Sequence, residues 1–579
     1  MKTTIISIIL STLCLLFSCN KDQDLLHKDI QNQKNGSGTN TAAATTCGCS
    51  TMPPVTITKN LVTDFGAVPN DGLDDSRAFI CASKWLNANW SNTNVIRLYI
   101  PSGIYKAGVQ LAPGASFATP CTTITNNGCQ VRLGIDMINL NGCKNIEIYG
   151  DLDSKIEYNN GLYFGGYDPG LNPIAYPVNL PCTPTTNNPC YRADIGAFIN
   201  LTSSSCISIK SLKVFGNNTN ILASGHLGGH ISECNGYQLG HDGIIINASN
   251  YVSVTNVTVS NFSRDGILIM NSINATNPQC PTLTDVLSLN NSRQGLSLTA
   301  ADNLLAKNCQ FNGTGSVFGN NPSCGVDIEP EFLGTVNVAN FISCKFLNNA
   351  FCGVISDNHP TTVNNITFNS CEFLASGTYS HSIWPYKMSN TTFTSCTIKG
   401  RIVHASGISP SNTLKFKSCT ITDWNGGSNV SGWGDYLFNF GSGCDNFEVL
   451  SSNINLYRSG LIILDQVTGN NRIFSNNNFN FNWNNLQTYW TYTECNSPPY
   501  AHKLFGSFSN CVLNSNSFTD LTPSTSPIPA TNARFAFLAA IPSPNISDGL
   551  NTFTVTPGFF SHFSRRTSSF TCGLSSSNF

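Results

Sequence analysis

In a chain whose charged residues make up only 11%, Arg264, Arg293, Asp327, Glu329 and Asp357 recur at corresponding places of neighbouring sequence repeats. Asp327 and Glu329 are two apart, so on an extended strand they share a face with Cα atoms about 6.5 Å apart. That spacing allows the carboxyl separation of roughly 6.5 to 9.5 Å with which one acid protonates a leaving oxygen while the other activates water. Glu329 and Asp357, stacked on adjacent strands, would crowd like charges and raise one another's proton affinity, as a general acid requires. The same three carboxylates suit calcium, which takes six to eight oxygen ligands. Arg264 or Arg293 could then abstract a proton beside an acidic sugar's carboxylate, a β-elimination that needs an unusually deprotonated arginine. Asp327, Glu329 and Asp357 are therefore the expected catalytic residues. His241, Arg264, Arg293, Glu331 and His359 border them as expected substrate contacts, with Pro330 and Pro360 ending the strands nearby. Hydrolysis by this set requires no metal or other cofactor; elimination would call on Ca2+.

These residues meet only if something stacks the repeats. Five glycines mark the register: Gly243, Gly266, Gly295, Gly325 and Gly353, at successive spacings of 23, 29, 30 and 28 residues. Each opens a short segment such as Asp242-Gly-Ile-Ile-Ile246 or Cys324-Gly-Val-Asp-Ile328. A period of this size signals a solenoid in which each repeat is one coil. With apolar residues one and three places after each glycine facing inward, strict alternation puts places minus two, zero, plus two and plus four outside. Parallel strands stack about 4.8 Å apart, so the acids and arginines of three neighbouring coils would border one patch. The alternative is a solvated strand face whose charges only pair with one another.

A second ladder runs out of phase: Asn308-Cys-Gln-Phe311, Ser343-Cys-Lys-Phe346, Ser370-Cys-Glu-Phe373, Ser395-Cys-Thr-Ile398 and Ser418-Cys-Thr-Ile421. Cysteine, polar residue and large apolar residue in alternation describe a strand with one buried face. The cysteines should point inward as small core hydrophobes rather than form a metal or redox ladder, since buried thiols are usually inert.

The chain enters this array through Val62-Thr-Asp-Phe-Gly-Ala67, Asp71-Gly-Leu-Asp-Asp75 and a stretch from Ser76 to Asn89 whose apolar residues Ala78, Phe79, Ala82, Trp85 and Leu86 have helical spacing. A strand and turn, Arg97-Leu-Tyr-Ile-Pro-Ser-Gly-Ile-Tyr105, follow. The first coil of a solenoid must be covered, and a helix is the usual lid. The Asp64-Phe-Gly-Ala67, Asp71 to Asp75 and Ile100 to Tyr105 blocks resemble the opening of the pectate-lyase-like superfamily, whose members include rhamnogalacturonases, polygalacturonases, lyases, epimerases and phage tailspikes. The resemblance covers about 50 residues and implies an all-β, right-handed parallel β-helix with an N-terminal capping helix. It does not extend to chemistry: the Asn-Thr-Asp, Gly-His-Gly and Arg-Ile-Lys blocks of polygalacturonases and the Trp-Ile-Asp-His block of pectate lyases are absent.

At the start, Lys2, an apolar run from Thr4 to Phe17, and Ser18-Cys19 have the layout of a secretory signal. Leu16-Phe-Ser-Cys19 resembles the bacterial lipobox, which implies lipid attachment at Cys19 and export to the outer membrane, with Asp22 and Asp24 in keeping with cell-surface display. The expected organisation is a signal at 1–18, a flexible tether at 19–52, the β-helix at 53–520 and a C-terminal cap at 521–579, after the turn-rich Thr522-Pro-Ser-Thr-Ser-Pro-Ile-Pro529. A net charge of −2 provides no broad basic face for nucleic acid. Of 24 cysteines, two pairs at matched spacing, Cys121 with Cys129 and Cys182 with Cys190, read as disulfide-closed loops in an oxidising route. His226, His230, His381 and His404 are scattered, and Trp384, Trp424 and Trp433 lie in later loops, where an aromatic plate could meet a sugar ring. Together these residues point to a monomeric, lipid-anchored enzyme that hydrolyses a polysaccharide. A calcium-assisted lyase and a non-catalytic glycan-binding or adhesion solenoid are the alternatives.

Overall fold

The computed structural model describes residue 49, residues 53–111 and most of the chain from 129 to 566. Its interruptions include 112–128, 174–190, 225–238, 316–321, 357–362, 404–412, 424–435 and 482–500. Three long parallel sheets of 16, 14 and 11 strands wind around one core. A representative coil takes Ser253–Thr255 into the first sheet, Thr258–Ser260 into the second and Asp265–Met270 into the third. The next coil repeats the path with Thr282–Thr284, Leu287–Leu289 and Gln294–Leu298, each strand parallel to its predecessor. This is the parallel β-helix expected from the repeats. Strands of the first and second sheets continue past residue 520, at Ile546–Ser547 and Thr552–Thr554.

The bend from the first sheet to the second takes two residues. A polar residue adopts positive φ, as in Asn256, Asp285, Asn308, Ser343, Ser370, Ser395 and Ser418, where short polar side chains carry the smallest steric cost. The residue after it points inward: Val257 and Val286 in earlier coils, then Cys309, Cys344, Cys371, Cys396 and Cys419, all buried and the cysteines in no disulfide. Each of these thiols donates to a carbonyl of the coil before, as Cys371 Sγ does to Phe341 O at 3.4 Å. Beside them phenylalanines stack from coil to coil, Phe341 on Phe368 at 4.8 Å, Phe368 on Phe393 at 4.7 Å and Phe393 on Phe416 at 4.6 Å. Those separations are the strand spacing itself; in-register strands place identical rings face over face.

The lid is a helix, α1, at Ser76–Asn89. Ala78, Phe79, Ala82 and Leu86 join the core, while Ser83 and Asn87 hydrogen-bond to backbone groups of Ile138–Asn141, the first strand of the third sheet. An open sheet edge thus has its unpaired groups satisfied by side chains. The acidic opening has a structural purpose too: buried Asp75 accepts from the backbone N–H of Val68 and of Lys106, tying the entry loop to the second sheet. Cys49, expected to lie in a free tether, is disulfide-bonded to Cys206. The loops expected at Cys121–Cys129 and Cys182–Cys190, and the lipid-bearing Cys19, lie outside the described residues.

Candidate functional site

The glycine ladder is in register. A Cβ on Gly243 would lie 2.5 Å from Gly266 O, one on Gly295 2.6 Å from Gly325 O, and one on Gly325 2.6 Å from Gly353 O. Added side chains would also meet core groups, Val259, Phe311 and Phe346 among them. The glycine therefore turns inward at a corner of the coil, and so does the residue after it: Ile244, Ile267, Leu296, Val326 and Val354 are fully buried. Two consecutive inward residues reset the alternation, which corrects the expected outer face. Places minus one, plus two and plus four lie outside; zero does not.

His241, at minus two, shows the consequence. It is fully buried among the rings of Tyr158, Phe164 and Phe262, and its Nδ1 accepts the Ser263 backbone N–H at 3.1 Å. Burial drives its pKa down to about 3, so it is a neutral core residue and not the substrate contact expected of an outward position.

Arg264 and Arg293, also at minus two, reach to the acid at minus one of the preceding coil. Arg264 forms a two-pronged ion pair with Asp242, Nε to Oδ1 and Nη2 to Oδ2 both at 2.7 Å. Arg293 does the same with Asp265, at 2.8 and 2.5 Å. All four residues are buried. Burial works against each guanidinium charge, but the facing carboxylates outweigh it: Asp242 and then Asp265 for Arg264, Asp265 and also Asp327 for Arg293. Both protons are held more tightly than usual, the opposite of what elimination with an arginine base requires.

This staircase of ion pairs stops at the next coil. Minus one there is Gln294, and minus two of the following coil is Ser323 in place of an arginine. Gln294 instead donates through Nε2 to Asp327 Oδ2 at 2.6 Å. Asp327 is only 1% exposed, yet its strand neighbours Val326 and Ile328 belong to the main core while its register partner Ile355 does not. The carboxylate therefore lies on the outer side, embedded. Glu329 follows on the same side, half-buried, its backbone N–H bonded to Leu298 O at 2.9 Å. Glu331 is half-buried just beyond. Asp357 and His359 lie outside the described residues.

Along the plus-two column Asp327 pairs with Ile355 and Ile355 with Trp384. Trp384 is thus part of the strand His381–Pro385, where a loop was expected, and it is half-buried against Phe351. Cys324, Cys352 and Ile355 complete this small outer cluster. The signal for it was present in the sequence: Ser382-Ile-Trp384 repeats the plus-zero to plus-two places of the glycine segments with serine at the corner. Among the described residues no group of three or more His, Cys, Asp or Glu side chains is disposed to hold a metal ion.

No known protein family pattern matches the chain. A stretch of 166 residues, 28% of this chain, is 28% identical to 27% of the uncharacterized protein YclG of Bacillus subtilis, so the match spans about a quarter of that relative. Among solved structures, the N-terminal fragment of gene product 12 of bacteriophage Phi29 is similar over 87% of this chain and 72% of its own, at 12% identity and a TM-score of 0.46. The A-module of the mannuronan C-5 epimerase AlgE6 of Azotobacter vinelandii is similar over 87% and 98%, at 12% identity and 0.35. Tailspike gp49 of Acinetobacter baumannii bacteriophage Fri1, a capsular polysaccharide depolymerase, is similar over 73% and 62%, at 14% identity and 0.35. The strand pairing of this chain by itself defines the parallel β-helix.

Proposed function

We propose that the outer wall of the third sheet binds a polysaccharide and hydrolyses it at Asp327 and Glu329. The observation that carries this reading is the plus-two column. An embedded carboxylate and a half-buried indole sit two coils apart on one wall, about 9.6 Å by strand spacing. An aromatic face for one sugar ring and an acid pair at the bond between others is what a glycan-cleaving surface needs.

The two acids have different surroundings and so different roles. Glu329, the more accessible, donates its proton to the glycosidic oxygen as the bond to the anomeric carbon breaks. Asp327, held by the Gln294 amide with Arg293 near enough to feel its charge, takes a proton from the water that adds to that carbon. Arg264 and Arg293 act indirectly, by fixing the acids around them. Hydrolysis is favoured over calcium-assisted elimination because both arginines are bound more firmly to their protons by their partners.

Export and a lipid on Cys19 complete the proposal, and the Cys49–Cys206 bond fits an oxidising destination. A screen of plant, algal and capsular polysaccharides tests the reaction. New reducing ends without ultraviolet-absorbing unsaturated product are expected; an unsaturated product would replace the hydrolase by a lyase. Glycan binding without either product would leave an adhesion solenoid.

A further inference from the structure

Where the ion-pair staircase ends, places minus one of two successive coils are Cys324 and Cys352. Their sulfurs approach to 3.1 Å, and both residues are fully buried. Gly325 N–H donates to Cys352 O at 3.1 Å and Val326 pairs with Val354, so the two strands run side by side at this point. Strand spacing of about 4.8 Å lies inside the Cα separation of roughly 4.4 to 6.8 Å that a disulfide spans. The five cysteines of the inner ladder belong to the main core, where each thiol donates to a carbonyl of the coil before. Cys324 and Cys352 instead sit outside the main core with Phe351, Ile355 and Trp384. The chain already holds the Cys49–Cys206 cross-link, and Cys280 is disulfide-bonded as well, so it matures where thiols are oxidised.

We infer that Cys324 and Cys352 form a further cross-link, a disulfide that joins the coil of Asp327 to the coil after it. One thiol loses its proton and attacks a disulfide-bearing oxidant, expelling a thiolate. The second thiol then displaces the oxidant from the mixed disulfide. Two protons and two electrons leave in all, and the oxidant departs as a dithiol. Because both sulfurs are sealed in the folded coil, the exchange takes place while the coil is still open during folding. The bond closes a loop of one turn, 28 residues against 157 for Cys49–Cys206, and so fixes neighbouring coils where the wall carries its acid.

Peptide mapping of the full chain, exported to an oxidising compartment, tests this without reference to activity. The protein is unfolded in denaturant without reductant, alkylated and digested. The Cys324 and Cys352 peptides are expected as one cross-linked species, two hydrogens lighter than their sum, while Cys309, Cys344, Cys371, Cys396 and Cys419 are alkylated. In Cys352→Ser, Cys324 is expected to become alkylated without reduction. Alkylation of both Cys324 and Cys352 in wild-type protein whose Cys49–Cys206 bond is intact would overturn the inference, as would either cysteine bonded to a different partner.

Discussion

Two ladders run through the same coils and behave differently. At the bend between the first and second sheets, the inward place repeats with little change: Cys309, Cys344, Cys371, Cys396 and Cys419, flanked by stacked phenylalanines. At the corner of the third sheet, the minus-one place changes from Asp242 and Asp265 to Gln294 and then to Cys324 and Cys352. A solenoid core is satisfied by translation, because each side chain needs only a copy of itself above and below. A functional wall cannot be built that way, since a reaction needs unlike groups side by side. The break in the outer ladder, where an ion-pair series gives way to an amide holding a carboxylate, is therefore the place to look for chemistry.

Breaking either ladder should cost stability, for different reasons. In the inner one, Phe368→Ala empties a ring-sized volume between Phe341 and Phe393 and should cost about 3 to 5 kcal/mol in urea unfolding. In the outer one, Arg293→Met strands a buried Asp265 carboxylate and should also cost about 3 to 5 kcal/mol, most of it recovered when Asp265→Leu is added. Recovery is the discriminating result: the paired charges are replaceable as a unit, whereas no second substitution refills the phenylalanine stack.

Acid should act on the corner. With His241 held neutral by burial down to about pH 3 and His381 to about pH 4, again chiefly by burial, the unfolded chain binds protons the folded one refuses once pH falls below about 6.5. Stability then declines as pH is lowered from about 6.5 towards 3, with His241 alone contributing about 3 kcal/mol of loss at pH 4. Stability curves at several pH values should flatten in His241→Asn even if that variant is less stable throughout. The smallest effect belongs to Cys371→Ser, at about 1 kcal/mol or less. Ser452 already occupies the matching place, its hydroxyl bonded to Leu450 O at 2.9 Å.

Much of this was legible in the sequence. Glycine spacing identified the coils, the cysteine-phenylalanine pattern identified the inward face, and the segment after Asp75 identified the lid. What alternation alone could not supply was the corner. Two successive inward residues, a glycine and the one after it, shift the phase by one place, and so His241 passed for a surface residue while it lies in the core. Pairing between minus two of one coil and minus one of the previous coil was hidden for the same reason, since it joins Arg293 to Asp265 across 28 residues. Trp384 reads as a loop residue in the sequence because serine replaces glycine at its corner, although it lies on a strand of the third sheet.

The proposed hydrolysis depends on Glu329 and Asp327, on a wall that the rest of the coil only supports. Turnover of Glu329→Gln on a polysaccharide that the wild-type protein cleaves, measured alongside glycan affinity and urea stability, tests that most directly. A loss of about 100- to 10,000-fold in turnover with affinity and stability retained is the expected result. Turnover within a few-fold of wild type would contradict it.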